Sequence, residues 1–321
     1  MSTTLIEIIA DYLGYNPEVA LEICNKAQKS YRKYNIKKKK GGNRTIFHPS
    51  KLTKSLQYAI IEIVLRELPV HQSAAGYIRG IKSPLFRNAT KHARFRYSVR
   101  IDFEDFFPSL CPNDLIKIVK SFGKFKDISK DDEEFLTKSL FAKYPKGQIG
   151  LPIGAPSSPI ISNIVMFSLD EKINKLAIST SVDSVYTRYA DDLVFSSNEK
   201  GACKEFYDAV IILINNTKSP NLKINKEKTV FTSRGIKRVI TGLYVCPDGG
   251  VSIGRNNKRY IRKLLLLLKH GELDKKTAKY LSGYLSFILD VEPDFYNRLV
   301  IKYGAETVSK ARTGNIEDSP I

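Results

Sequence analysis

Apolar residues recur along this chain at two spacings, and the switches between them divide it into elements. Over Leu5 to Lys29 they return every three or four positions, which predicts helices broken near Gly14 to Pro17, with Asn16 a cap and Pro17 at the first helical position. Tyr31 to Lys37 and Arg44 to His48 read as two strands, the second stopped by Pro49, around a basic turn at Lys38-Lys39-Lys40-Gly41-Gly42. Helical spacing resumes over Lys51 to Leu68, and Gly76 to Lys82 reads as a Gly-punctuated loop or short strand. In Ser98-Val99-Arg100-Ile101-Asp102-Phe103 apolar and polar residues alternate, the mark of a half-buried strand, with Asp102 on its polar face.

A helix-rich connector follows, with an acidic patch at Asp131 to Glu134 expected to face solvent. Gly150-Leu151-Pro152-Ile153-Gly154-Ala155-Pro156-Ser157-Ser158-Pro159 is a rigid loop leading into an apolar helix from Ile160 to Leu176. Its Gly154 and Ala155 offer no side-chain bulk, which suits either a backbone floor for a nucleotide or a tight start to a helix. A β-type run spans Val185 to Phe195, and a helix is expected from Lys204 to Asn216. Leu222 to Asn225, Lys226 to Phe231 and Ile240 to Val245 then lead to a turn at Pro247 to Gly250. From Asn256 onward Lys258, Arg259, Arg262, Lys263 and Lys269 interleave with Ile261 and the leucines on a basic helix, and the residues after Gly304 read as a frayed polar tail.

Two adjacent carboxylates, Asp191 and Asp192, interrupt the apolar run at Tyr189-Ala190-Asp191-Asp192. An unpaired carboxylate in such a setting forfeits several kcal/mol, roughly, unless it is paired, protonated or bound to a metal. A hairpin with both acids at its tip resolves the conflict, either as a solvated turn or as a metal site. Asp102, at the end of another strand, adds a third acid. Three carboxylates from neighbouring strands suit two Mg²⁺ ions about 3.5–4 Å apart, with substrate phosphates filling the open positions.

Charge narrows the partner. The chain has 321 residues, 42% of them hydrophobic, enough for a full core and more than one subdomain. Its 52 Lys and Arg against 33 Asp and Glu give +19, which favours a polyanion through counterion release. The leucine run Leu264 to Leu268 is far too short to span a bilayer and the N-terminus lacks a signal pattern, so a cytoplasmic location without membrane contact is expected. Cys24, Cys111, Cys203 and Cys246 are scattered, as are His48, His71, His92 and His270, which argues against zinc or disulfides.

Taken in order, these segments resemble reverse transcriptases, and specifically the bacterial retron type. The series is Ile-Asp-Phe-Glu-Asp-Phe-Phe-Pro-Ser-Leu around Asp102, Leu-Pro-x-Gly-Ala-Pro-Ser-Ser-Pro at 151 to 159, Tyr-Ala-Asp-Asp at 189 to 192 and Ile-Asn-x-x-Lys-Thr at 224 to 229. Asn88-Ala89-Thr90-Lys91-His92 fits an Asn-Ala-x-x-His signature of that type, and Ile240-Thr241-Gly242 resembles its Val-Thr-Gly triplet.

The resemblance implies an α+β right-hand polymerase with fingers, a palm built on an antiparallel sheet and a helical thumb. The expected divisions are an N-terminal helical segment at 1–30, fingers at 31–98, palm at 99–253 with a helical connector around 113–149, thumb at 254–304 and a tail at 305–321. It implies that Asp102, Asp191 and Asp192 bind two Mg²⁺ and carry catalysis, and that Arg44, Phe103, Phe107, Gly154, Ala155 and Lys228 meet the incoming nucleotide, with Phe107 as a steric gate. Asn88, His92, Thr241 and Gly242 are implied to meet RNA, although Asn88 and His92 suit capping and core hydrogen bonding equally well, with Lys258, Arg259 and Arg262 gripping a duplex from the thumb.

The implied partners are a cognate structured non-coding RNA (msr-msd), its branched msDNA product primed from a guanosine 2′-hydroxyl, dNTPs, a separate effector in phage defence, and a host ribonuclease H that trims the template. Ile153 stands where the family usually has Gln, so no hydrogen bond to the nucleotide is expected from that position. Two other readings remain at this stage: another bacterial reverse transcriptase, group II intron-like or abortive-infection type, and an RNA-binding scaffold restraining an effector. The intact set of three acids disfavours a scaffold.

Overall fold

The computed structural model describes residues 4–37, 41–122 and 124–314. Helix α1 (Leu5–Leu13) begins with a capping box in which the Glu7 amide donates to the Thr4 hydroxyl and the Thr4 amide to the Glu7 carboxylate, and it ends at left-handed Gly14. Helix α2 (Pro17–Ala27) starts on its proline as expected. Strands β1 (Arg32–Lys37) and β2 (Asn43–His48) form the basic hairpin, whose turn lysines, 38–40, lie outside the described residues. Helix α3 (Lys51–Ile63) is capped by Ser50 and tightens into a 3₁₀ turn over Leu65–Glu67. After a loop over 68–83 comes α4 (Pro84–Lys91).

The centre of the molecule is a four-stranded antiparallel sheet. Strand β3 (Tyr97–Phe103) lies between β7 (Asp192–Ser197) and β8 (Ile224–Ser233), with β6 (Ser184–Tyr189) outside β7. Between β3 and β6 run α5 (Phe106–Ser109), α6 (Pro112–Ser121), α7 (Lys130–Leu140), the short pair β4 (Ala142–Lys143) and β5 (Ile149–Gly150), α8 (Ser158–Val165) and α9 (Phe167–Thr180). Helix α10 (Ala202–Asn216) follows β7. Val99 and Ile101 point to one face of the sheet and join Leu193, Phe195, Phe206 and Ile173 in the main core, where the Phe195 and Phe206 rings stack at 4.1 Å. The even-numbered residues of β3, including Asp102, therefore face the other way.

A small sheet, β9 (Arg238–Ile240), β10 (Leu243–Val245) and β11 (Val251–Ser252), leads into α11 (Arg255–Lys269), α12 (Lys275–Val291), α13 (Pro293–Tyr303) and α14 (Ala305–Thr313). These bury Ile240, Leu243, Ile261, Leu285 and Phe295 in a second core, which also takes Ala89 and Ala93 from and beside α4. No helix among the described residues is long and apolar enough to cross a membrane.

Four local expectations are corrected. The apolar helix after Pro159 is two helices that meet at Met166. Asp132 is buried rather than solvent-facing, because it is the N3 residue of a capping box with Ser129. The run Ile240 to Val245 is broken by a reversal, with Thr241 at φ 46° and Gly242 at φ 81°. The chain beyond Gly304 does not fray at once, since α14 packs on α12 and buries Val308 and Ala311 completely.

Candidate active site

Strand register brings the three acids into one neighbourhood at the end of the sheet. Asp102, near the end of β3, lies directly opposite Asp192, the first residue of β7, and the Phe103 amide donates to the Asp191 carbonyl at 3.1 Å. Asp191 sits in the β6–β7 reversal, one residue after Ala190, which takes the left-handed φ of 56° that a tight turn requires. From β8, Lys228 donates to Asp102 Oδ1 at 2.7 Å.

The electrostatics of the trio are strained. Burial, then the charge of Asp102, raises the Asp191 pKa above the usual carboxylate range. Burial, then Asp191, pushes Asp192 up to about 6. The Lys228 pKa is raised by its hydrogen bond to Asp102. Arg44, exposed on β2, is near enough for its charge to act against the rise at Asp191.

Among the described residues no three His, Cys, Asp or Glu side chains converge into a preformed metal cluster. The acids nevertheless fit a hard divalent cation. They are neighbouring carboxylates at one end of the sheet, disfavoured as anions first by burial and then by one another's charge, and incoming positive charge offsets both.

The turn is held from beneath by a buried network that the sequence reading missed. Arg188 and Asp170 are both fully buried, and the guanidinium donates to the carboxylate through Nε at 2.9 Å and Nη2 at 2.6 Å. Arg188 Nη1 reaches the Ala190 carbonyl and Asn163 Oδ1, each at 3.2 Å, and the Tyr186 hydroxyl donates to Asp170 at 2.7 Å. A segment over 73–77 clamps the other side: the Ala75 amide donates to the Arg188 carbonyl, and Asn163 donates to the Gly76 carbonyl. A Cβ on Gly76 would come within 3.1 Å of the Tyr189 ring, so the clamp needs glycine for its close approach. The available signal was a charged residue, Arg188, within an apolar strand with an acid, Asp170, on the preceding helix.

Other expected nucleotide contacts divide. The Phe107 ring is only partly buried, on α5, where it meets the Phe106 ring edge-on. Phe103 is 1% exposed and stacks on Phe106 in the core, so its side chain is structural and the nucleotide expectation is corrected. Ala155 is likewise buried, in a small core with Tyr31 and Phe47. Gly154, at φ 110°, lets the loop close on β2, where a Cβ would meet Ile46 at 2.9 Å. The Phe47 amide donates to the Ile153 carbonyl across this contact, so the loop braces the fingers hairpin, and Gly154 remains exposed.

The residues expected to meet RNA are also sorted by burial. His92 is completely buried, with Nδ1 2.9 Å from the Ser196 hydroxyl and Nε2 2.7 Å from that of Thr187; it pins α4 to the sheet and has no ring atom left for RNA. Burial, then the charge of Arg238, holds its pKa down at about 3. Asn88 is 1% exposed, yet neither amide atom has a partner, and it borders a cavity of about 280 Å³ with His71, Ile78, Arg87 and Lys91. Thr241 donates to the Leu85 carbonyl at the start of α4, and Gly242 is exposed beside it. On α11, Lys258 is paired with Glu292 and lies over the Phe295 ring, where Arg262 also lies. Arg255, Arg259, Lys263 and Lys269 are the exposed cations of that helix.

Comparison with known proteins identifies the family. The family model for reverse transcriptase (RNA-dependent DNA polymerase) matches residues 36–284. The Escherichia coli retron Ec73 reverse transcriptase is 38% identical over 86% of this chain and 87% of its own length. The retron Ec83 and Ec86 enzymes of the same organism are 32% and 33% identical, over 92% and 88% of this chain and 94% and 85% of theirs. With its carboxylates gathered on an antiparallel palm between fingers and thumb, the chain belongs to the reverse transcriptases, as an RNA-directed DNA polymerase of the retron type.

Proposed function

We propose that this polymerase copies part of its own structured non-coding RNA into a branched, RNA-linked single-stranded DNA, priming from a guanosine 2′-hydroxyl, as one component of an antiphage system in the cytoplasm. The observation that carries this reading is the packing of α4, which holds Asn88, against the hairpin that holds Thr241 and Gly242, tied by the Thr241 to Leu85 hydrogen bond. Similarity to retron enzymes over most of the chain supports it.

Asp102, Asp191 and Asp192 would hold the divalent ions, taken to be two Mg²⁺. When bound, such ions lower the pKa of the priming hydroxyl and neutralise charge on the transferring phosphoryl group. The hydroxyl oxygen forms its bond to the α-phosphorus of a dNTP, the bond from that phosphorus to pyrophosphate breaks, and the hydroxyl proton is released. Arg44 would hold the triphosphate from the fingers, and Lys228 stands beside Asp102 with an ammonium able to donate to departing pyrophosphate. Phe107 would occupy the space of a ribonucleotide 2′-hydroxyl. Asn88, with an amide unpartnered within the protein, and Thr241 and Gly242 at their turn would meet the RNA, while Arg259 on the thumb would grip the duplex backbone. A separate effector and a host ribonuclease H complete the reading.

The test is to express the chain with its neighbouring non-coding region and extract nucleic acid. A short DNA joined to RNA, absent from Asp191→Asn, is the expected result. Its absence from folded wild-type protein with the adjoining RNA present would overturn the reading.

A further inference from the structure

The cavity of about 280 Å³ that Asn88 borders lies between α4 and the loop that precedes it, and the chemistry at the three acids does not use it. Val70, Ala74, Ile78, Ile81 and Pro84 give it an apolar wall, and among the described residues no carboxylate lines it. Arg87 and Lys91, one turn apart on α4 and both exposed, border it as well. The space therefore has an apolar interior with cations at its solvent side.

Asn88 supplies the polar group of that interior. It is 1% exposed, and its Nδ2 and Oδ1 are both buried without a partner, whereas His92, four residues on, is satisfied at both ring nitrogens. Leaving a buried amide unpaired is costly, and a ligand that meets both of its atoms recovers that cost. The amide presents a donor and an acceptor side by side. That pair matches the N7 acceptor and the N6 donor of adenine, and a small apolar pocket with one such polar group suits a single planar base better than an ion or an extended peptide. The two exposed cations suit the phosphates on either side of the base.

We propose that this cavity takes one unpaired adenine of the bound RNA, swung out of its stack, with its flanking phosphates on Arg87 and Lys91. An unpaired base is the least costly to extrude, and Asn88 then reads one base by its edge rather than the shape of a duplex. The proposal rests on the assignment of Asn88 to RNA made above and names what it recognises. The same wall includes Ala74 and Ala75, which pair with Arg188 beneath the catalytic turn, so the filled cavity abuts the segment that clamps the acids.

The test replaces each unpaired adenosine of the neighbouring non-coding RNA in turn, by an abasic ribonucleotide and by 7-deazaadenosine, and measures Kd for wild type and Asn88→Ala. In wild type one position is expected to stand out, with affinity about tenfold weaker when the base is absent and a smaller loss when only N7 is removed. Asn88→Ala should bind the unmodified RNA about tenfold more weakly and should be indifferent to 7-deazaadenosine at that position. Its denaturation midpoint should not fall, since no hydrogen bond of the fold is removed; a lower midpoint with the 7-deaza loss intact would mark Asn88 as structural and overturn the proposal. RNA that wild type binds with no sensitive adenosine would overturn it too, as would equal losses in both proteins at every position. Adenosine monophosphate that saturates wild type but not Asn88→Ala, with no sensitive position in the RNA, would overturn the RNA as source of the base and give the cavity to a free nucleotide. Failure of wild type to bind the RNA at all would strike instead at the reading on which the proposal rests.

Discussion

Thr241 donates its hydroxyl to the carbonyl of Leu85 at 3.0 Å, across 156 positions of sequence. The bond ties the β9–β10 reversal to the first turn of α4, and so joins the two segments that resemble the retron type most specifically. Thr241 holds a left-handed φ of 46° to make it, and Gly242 follows at φ 81°. Thr241→Val keeps the shape and removes the donor. It should cost about 1 kcal/mol of stability, read by denaturant titration, and leave extension of an unrelated primer–template within about twofold, because the acids lie on other strands. Loss of binding to the cognate RNA in the same variant would place this junction in the RNA contact.

Arg188 and Asp170 predict a stability pattern that separates charge from catalysis. Asp170→Ala leaves a fully buried guanidinium without its partner and should cost about 3–5 kcal/mol, visible as a large fall in the denaturation midpoint. Replacing both, as Asp170→Leu with Arg188→Met, should recover most of that loss. Polymerase activity should stay low in the double variant, since the bond from Arg188 to the Ala190 carbonyl that fixes the catalytic turn is gone. Full activity in the double variant would show that the turn needs no such support.

Short-range pattern carried much of the fold and of the catalytic core in the sequence. Alternation along β3 put Asp102 on the polar face, and the apolar flanks of Asp191 and Asp192 required a reversal there, because both are rules of local periodicity. What stayed hidden depends on distant partners. Phe103 and Phe107 lie four residues apart in one motif, yet one ring stacks in the core and the other is only partly buried, because Phe103 ends β3 while Phe107 sits on the short α5 that follows. His92 suited an RNA contact and a core hydrogen-bonding role equally, because nothing local announces Thr187 and Ser196 as its partners. The tail beyond Gly304 looked polar because Val308 and Ala311 are few, but α12 covers both.

Gly150 illustrates a constraint of the same long-range kind. A Cβ added there would stand 2.1 Å from the Pro108 carbonyl oxygen, a backbone atom of the helix that carries Phe107. The next amide, of Leu151, donates to the Phe107 carbonyl at 3.0 Å, so β5 and α5 cannot separate without losing that bond. Gly150→Ala should therefore shift α5, cost about 1–3 kcal/mol, and weaken discrimination against ribonucleotides if Phe107 is the gate. The check is the ratio of dNTP to rNTP incorporation measured beside the denaturation midpoint; unchanged values of both would remove the steric argument.

His92 sets a pH dependence whose sign follows from its burial. Its pKa falls from 6.5 in the unfolded chain to about 3 in the folded protein, so below 6.5 the unfolded state binds the proton more readily. The stability associated with neutral His92 is fully present above pH 6.5 and is lost as the pH falls, by up to about 1.4 kcal/mol per unit, until the folded-state pKa is passed. Between pH 7 and pH 5 this one group should account for about 2 kcal/mol of lost stability. His92→Gln should be less stable than wild type at pH 7, because the bonds to Ser196 and Thr187 are disturbed, but should lose about 2 kcal/mol less on going to pH 5. Denaturant titrations of the two proteins at both pH values make the comparison, in which the carboxylates common to both cancel. Parallel pH profiles would mean that His92 is not held neutral by the α4–sheet junction.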